Sequence, residues 1–268
     1  MHMIDEGAGR KVQIRRQFNE LSHDYDAGSG CFAYFGARVV ANADIQPGQH
    51  VLDVASGRGA VLFPAAEQVG RTGVVVGIDL ADEMASALND EGARRGRPVR
   101  VLVMDAEQLA FSRAAFDRVL CGFGVMFFPD HELALGEFRR VLKPGGLIAL
   151  STWRVAQNSE LEAVLADMGM KPPKQPGWIT EPQALESLLT RAGFYDVRVK
   201  LDSHSFRYAD ADEYWQQARG TGMRRALDAL DHAQMQRAHA ALAERIQPYQ
   251  RNDGIYLSST ALIAVGNS

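Results

Sequence analysis

Three short stretches of the chain carry residue types suited to chemistry, at matching positions. Asp53-Val54-Ala55-Ser56-Gly57-Arg58-Gly59 follows an apolar run and precedes a helical pattern. Small residues there let the backbone approach a ligand closely, and a helix N-terminus offers unpaired N–H groups to an anion. Asp79 ends the second apolar run, about twenty residues beyond Gly59, where an acid can bridge both hydroxyls of a ribose. Asp105-Ala106 ends the third run, where a carboxylate could accept from an adenine amino group. Taken singly, each has a plainer reading: a Gly-rich turn is often just a turn, and an acid after a strand is often a helix N-cap. In register across three consecutive strands, they point to a nucleoside.

The elements that must position these residues are legible between about Ile45 and Trp153. Apolar runs at Val51–Val54, Val74–Ile78, Val101–Met104, Val119–Cys121 and Leu147–Leu150 alternate with helical patterns at Val61–Val69, Ala81–Arg94 and Glu132–Leu142. That alternation predicts a parallel sheet, and near-continuous apolar runs predict strands buried on both faces. Open sheets of this kind bind ligands at the carboxyl ends of their strands. Lys143-Pro144-Gly145-Gly146 reads as a helix stop and tight turn. Residues 8–43 read as two helices interrupted at Ala27-Gly28-Ser29-Gly30. After Trp153 the pattern predicts a helix near Glu160–Met168, a proline-rich loop over residues 171–178, and a helix opened by a Thr180/Gln183 capping box and stopped at Gly193. A strand from Val197, helices within residues 210–250, a turn at Asn252-Asp253-Gly254 and a last strand at Ser259–Val265 complete the chain.

Composition narrows the function classes. The 268 residues are 46% hydrophobic and 23% charged, ordinary for a globular protein and unlike a disordered chain or a disulfide scaffold. A net charge of −4 supplies no overall field to hold a polyanion, so no nucleic-acid partner is expected. The two cysteines, Cys31 and Cys121, fit no metal-ligand spacing and suit a reducing cytoplasm. No apolar run is long enough to span a membrane, the N-terminus does not read as a secretory signal, and no metal site is expected.

The five motifs VLDVASGRGA, VVVGIDLADEM, VMDAEQLAF, FDRVLCGFGVMFFPD and EFRRVLKPGGLIALSTW, in this order, resemble those of class I S-adenosylmethionine-dependent methyltransferases. The branch they resemble is that of the menaquinone and ubiquinone C-methyltransferases, the methyltransferase type 11 group. The resemblance is good over about residues 14–153 and loose elsewhere. It implies an α/β fold: a Rossmann-like, mostly parallel sheet with an antiparallel final strand and an added helical cap. It also implies a single domain over residues 1–268, with an N-terminal helical lid at 1–44 and a cofactor-binding core at 45–153. Residues 154–268 would complete the sheet and carry cap insertions at about 155–180 and 206–255. Carried over residue by residue, it assigns Asp53, Ala55, Ser56 and Gly57 to the methionine part of S-adenosylmethionine. Asp79 would hold the ribose, Leu80 and Met84 would flank the adenine, and Asp105 and Ala106 would contact its edge. Cys121 and Gly122 would line the methionyl side, and Tyr25 would close over the cofactor. Ala55 departs from the usual first glycine. Met126-Phe127 stand where many relatives have two histidines, so those relatives' candidate base is missing.

Methyl transfer from a sulfonium is an in-line displacement in which positioning supplies much of the rate. If the acceptor must lose a proton, His23, Tyr25, His131 and His204 are the candidates, with His23 and Tyr25 favoured. Phe123, Met126, Phe127, Phe128, Trp153, Trp178, Tyr214, Trp215 and Tyr256 are either ordinary core or an aromatic acceptor pocket. Phe123, Met126, Phe127, Trp153, Trp178 and Tyr256 are the pocket candidates. A planar or lipophilic small molecule is the expected acceptor, with S-adenosylhomocysteine as the coproduct, and a monomer or homodimer as the working form. Two alternatives stand. An NAD(P)-dependent oxidoreductase shares the sheet and the ribose acid, but Gly57 and Gly59 are followed by Leu62 instead of a third glycine. A non-methylating protein could keep the same cofactor as a structural or electrostatic element.

Overall fold

The computed structural model describes residues 2–25, 28, 30–96, 99–170 and 178–268, with side chains from Gly7 onward. Two helices come first, α1 (His2–Leu21) and α2 (Cys31–Asn42). Strands β1 (His50–Val54), β2 (Val74–Asp79), β3 (Arg100–Val103) and β4 (Phe116–Gly122) follow. Helices α3 (Leu62–Val69) and α4 (Asp82–Arg94) join the first three of them, and α5 (His131–Val141) leads from β4 to β5 (Leu142–Val155). Helices α6 (Ser159–Asp167) and α7 (Pro182–Arg191) precede β6 (Tyr195–Tyr208). Helices α8 (Ala211–Arg219), α9 (Arg224–Asp228) and α10 (His232–Ile246) precede the hairpin of β7 (Gln250–Arg251) and β8 (Gly254–Asn267).

The eight strands form one sheet in the order β3-β2-β1-β4-β5-β8-β6, with β7 paired to β8. The β1, β2, β3, β4 and β5 pairings are parallel, while β8 runs antiparallel to both β5 and β6. Alternate side chains explain the apolar runs. Val51, Leu120 and Ala149 pack against Val39 and Val40 of α2 and Ala65 and Val69 of α3. Leu52, Val119, Cys121, Ile148 and Leu150 face Leu135 and Phe138 of α5 and Leu185 and Leu189 of α7. A further core joins α2 (Cys31, Phe35) to α6, α8, α9, α10 and the far ends of β5, β6 and β8. This helical layer covers the C-terminal part of the chain.

Several local expectations change. Helix α7 opens after Glu181 with no side-chain cap, so the Thr180/Gln183 capping box does not form. Pro182 takes the first turn instead, where its missing N–H costs nothing. A capping box does open α10, between Asp231 and Gln234. The last strand runs from Gly254 to Asn267, longer than the expected Ser259–Val265 at both ends, because it pairs with β6 from Ile255 through Asn267. Strand β6 begins at Tyr195, two residues before the expected Val197. Residues 171–177 of the proline-rich loop, and Ala27 and Ser29 of the expected helix interruption, lie outside the described residues.

Candidate functional site

A cleft opens where β1, β2, β3 and β4 end, between the sheet and α1. Its empty space, with the open mouth included, is about 910 Å³. The loop after β1 forms its floor. Ala55 takes a left-handed backbone conformation, φ +56°, as does Gly57 at φ +50°. A non-glycine residue there carries strain of about 1–2 kcal/mol, and alanine has the smallest side chain that can bear it. Gly124, on the loop after β4, completes the fit. A Cβ at that position would lie 2.5 Å from the Ala55 Cβ and 2.8 Å from the Cys121 Sγ. Ser56 straps the loop to the sheet: its Oγ donates to the Asp53 carbonyl at 2.9 Å, and its N–H donates to the Ile78 carbonyl at 3.0 Å.

Three carboxylates meet this floor in different states. Asp53 is 1% exposed, and neither of its carboxylate oxygens has a hydrogen-bond partner. Burial pushes its carboxyl well above the usual range, and the nearby Asp79 charge adds to it. Asp53 shares a narrow crevice with Ala55, Ser56, Gly122, Phe123 and Phe32. An orphaned buried carboxylate of this kind suits a cationic amino group. Asp79 is also buried, but its oxygens accept from the Ala81 N–H and the Gly57 N–H, both at 2.9 Å. Burial raises its pKa, and these two amides hold it back. Asp79 therefore braces the loop after β1 against the start of α4, and does not stand clear of the framework at a strand end. Asp105 accepts from the Glu107 N–H at 2.9 Å and from Lys11 Nζ at 2.7 Å.

The other end of the cleft is aromatic. Tyr25 lies over the loop, 3.9 Å from where a Gly57 Cβ would stand. It stacks on Phe32 at 5.2 Å and meets Phe18 edge-on at 5.7 Å. Phe32 meets the Phe123 ring edge-on, and Phe123 stacks on Trp153 at 3.9 Å. Phe127 closes against Phe18 at 5.0 Å.

Of the residues singled out in the sequence, Tyr25, Ala55, Ser56, Gly57, Asp79, Leu80, Asp105, Ala106, Gly122, Phe123 and Phe127 line the cleft. Met84 does not: it is fully buried with Leu21 and Ala81, beneath Tyr25 and Phe18. Cys121 is fully buried, its thiol pushed up to about 12 by burial and by the Asp53 charge, so it stays protonated. Met126 and Trp153 form a layer behind Phe123 and Phe127. Trp178 packs against the helical layer and Tyr214 donates to the Gln157 carbonyl; neither reaches the cleft. Tyr256 belongs to the β7–β8 hairpin, with its hydroxyl on Asp253 and Arg251 over its ring.

The histidines also fall elsewhere. His23 is exposed and does not line the cleft. His204 stacks on Tyr34 at 4.0 Å on the edge strand β6. His131 has a buried, unpartnered Nε2, and burial and Arg10 lower its pKa, but it too lies outside the cleft lining. Residue type alone marks a histidine as a possible base; only packing decides where it points. Sequence reasoning missed Lys11, Ile14, Phe18, Phe32, Glu107 and Pro129, all of which line the cleft. For Ile14 and Phe18 the signal was their spacing with Leu21, one apolar face of α1 at helical intervals. Among the described residues, no helix is long and apolar enough to cross a membrane, and no group of three or more His, Cys, Asp or Glu could hold a metal ion.

A family model described as "Methyltransferase domain" matches residues 52–150. The chain is 40% identical over 144 residues to aklanonic acid methyltransferase DauC of Streptomyces sp., covering 53% of this chain and 66% of that protein. It is 34% identical over 151 residues to the demethylmenaquinone methyltransferase of Staphylococcus aureus, covering 54% of this chain and 62% of that one. The matches thus span less than two thirds of these relatives, and the resemblance to the quinone branch is not favoured over other small-molecule relatives. A crystal structure of a SAM-dependent methyltransferase from Aquifex aeolicus superposes with a TM-score of 0.54 at 22% identity, over 68% of this chain and 89% of that one, a likeness of fold.

Proposed function

We propose that the chain, whose residues 52–150 match the methyltransferase domain model, is a class I S-adenosylmethionine-dependent methyltransferase of the type 11 family and transfers a methyl group from that cofactor to a small aromatic or lipophilic molecule. The observation that carries this reading is a cleft with two chemistries: Asp79 and Asp105 after β2 and β3, with Asp53 in an adjoining crevice, and aromatic rings beyond β4. Bound there, S-adenosylmethionine supplies an activated methyl group to an acceptor nucleophile. Asp53 holds the amino group of the methionine part, relieving its own buried and unpaired state. Asp79 accepts from the ribose hydroxyls with lone pairs left over from its two amide bonds, and Asp105 and Ala106 read the adenine edge. Tyr25 covers the loop and excludes water, while Phe32, Phe123 and Phe127 orient the acceptor by shape.

No histidine lines the cleft among the described residues. Tyr25 is the sequence's base candidate that does line it, but a phenol is a weak base at neutral pH, so the transfer rests mainly on proximity, with the proton going to water or already absent from an acceptor that ionises unaided. The acid named in the DauC relative is an acceptor of that type. Against an oxidoreductase stands Leu62 at the third-glycine position, buried at the start of α3.

Thermal melts with ligands test the cofactor assignment. S-adenosylhomocysteine at a hundredfold excess over its dissociation constant should stabilise the protein by about 2.7 kcal/mol, and NADH should leave the melt unchanged. The reverse pattern would favour the oxidoreductase. Labelled S-adenosylmethionine with a panel of phenols, carboxylic acids, quinols and amines then identifies the acceptor. Cofactor binding with no transfer to any class would favour the non-methylating alternative.

A further inference from the structure

Helix α1 brings one cation into the cleft. Lys11 is a quarter exposed, and its Nζ lies 2.7 Å from Asp105 Oδ2 while also pairing with Glu107 Oε2. Glu107 is 7% exposed at its side chain, and its other oxygen accepts from the Asp130 N–H at 2.8 Å. One ammonium thus ties together three separate elements: the cap helix, the loop after β3, and the start of α5. Lys11, Asp105 and Glu107 all line the cleft. Burial lowers the pKa of Lys11, but the hydrogen bonds from Asp105 and Glu107 outweigh it, and the net shift is upward. The same helix has a second anchor outside the cleft, where Arg15 and Asn19 bond Asp82 at the start of α4. That Arg15–Asp82 pair is about half exposed on both sides.

We infer that Lys11 is a positioning residue of the cofactor site, closing the base end of the cleft and holding the Asp105 carboxylate that reads the base's amino group. This rests on the methyltransferase reading above. Asp105 Oδ1 is fixed by the Glu107 amide and Oδ2 by Lys11, so the carboxylate plane is set before the nucleoside arrives. Each oxygen keeps a lone pair to accept from a 6-amino group. A 6-oxo base would present a carbonyl to that carboxylate and be rejected. Without Lys11, two carboxylates would face each other across the cleft mouth, and Asp105 would turn to solvent.

The test compares wild type with Lys11→Met, Lys11→Arg and Arg15→Met, using S-adenosylhomocysteine and its 6-oxo analogue, S-inosylhomocysteine, in calorimetry. Lys11→Met should lose about tenfold in affinity for S-adenosylhomocysteine, as loss of a charge-assisted contact predicts. Its preference for the amino over the oxo base should shrink by a similar factor. Lys11→Arg should recover most of both, and Arg15→Met should stay within about twofold of wild type in both. Melting temperatures of the free proteins show that all four fold. Unchanged affinity and base preference in Lys11→Met would overturn the assignment, and so would an equal loss in Arg15→Met, because Lys11 would then only anchor a helix. Wild-type protein that binds neither ligand overturns the methyltransferase reading and this one together, so the two failures are distinct.

Discussion

The two ends of the cleft solve different problems. At the base end, every polar group is engaged: Asp79 on two amides, Asp105 on an amide and an ammonium, Glu107 on both. At the far end, Tyr25, Phe32, Phe123, Trp153 and Phe127 pack ring on ring with few polar groups among them. Directional, charge-assisted bonds discriminate between molecules that differ by one hydrogen-bonding group, whereas apolar contact discriminates weakly between similar shapes. On the proposed reading, the contrast teaches that cofactor choice is fixed tightly and acceptor choice broadly.

Asp79→Ala should break the base end most severely. If Asp79 holds the ribose as proposed, two charge-assisted bonds are lost, and affinity for S-adenosylhomocysteine should fall by about a hundredfold or more. The substitution also frees the Gly57 and Ala81 amides, so the free protein should melt at lower temperature. Calorimetry and a melt read the two losses, and an unchanged melt would show that the brace is dispensable. Phe127→Ala probes the opposite end. Acceptor kcat/KM should drop by about tenfold, the scale of a lost hydrophobic contact, while cofactor affinity stays within about threefold. Equal losses in both would dissolve the distinction between the ends.

Asp53 lies between the two and gives a pH signature. Its folded pKa is raised by burial, so above the unfolded pKa of about 3.9 the folded state keeps a proton that the unfolded state has released. Stability from this group is therefore complete below about pH 3.9 and is lost as pH rises through the folded value. The slope is at most about 1.4 kcal/mol per pH unit for one proton. Asp53→Asn should flatten that fall in denaturant titrations of the ligand-free protein. A profile that superposes on wild type would mean that the carboxylate is relieved by some other contact. Tyr25→Phe keeps the ring packing and should weaken cofactor binding only a few-fold, through one hydrogen bond worth about 0.5–1.5 kcal/mol. The smallest effect belongs to His23→Ala. An exposed side chain away from the cleft should leave single-turnover rates within about twofold, and a hundredfold loss would restore it as the base.

The base end was legible in the sequence because its information is local. Small residues at 55–59 and acids at 79 and 105 each follow an apolar run directly, and a strand end fixes their direction. The aromatic end was only half legible. Phe123 and Phe127 follow β4 and share its placement, but Tyr256 sits on the early part of β8, in a hairpin with the two-residue β7 that is too short to leave a pattern, and Trp178 follows a proline-rich stretch with no period. Lys11 was invisible for a different reason. Its partners lie 94 and 96 residues away in the chain, and a lysine on an amphipathic helix ordinarily faces water.

One pairing in the sheet bears on how the helical layer is held. Tyr208, the last residue of β6, sits directly across from Ile255 near the start of β8. The excursion that carries α8, α9 and α10 therefore departs and returns through neighbouring rungs of the same ladder. The cost of closing a loop grows only slowly with its length once its ends are held together. A change in that excursion's length leaves its two ends paired, but α8, α9 and α10 share one core with Cys31 and Phe35 of α2 and with Phe123 and Trp153. The ladder works as a socket: the exposed turns between these helices can vary, while the faces seated in the core cannot.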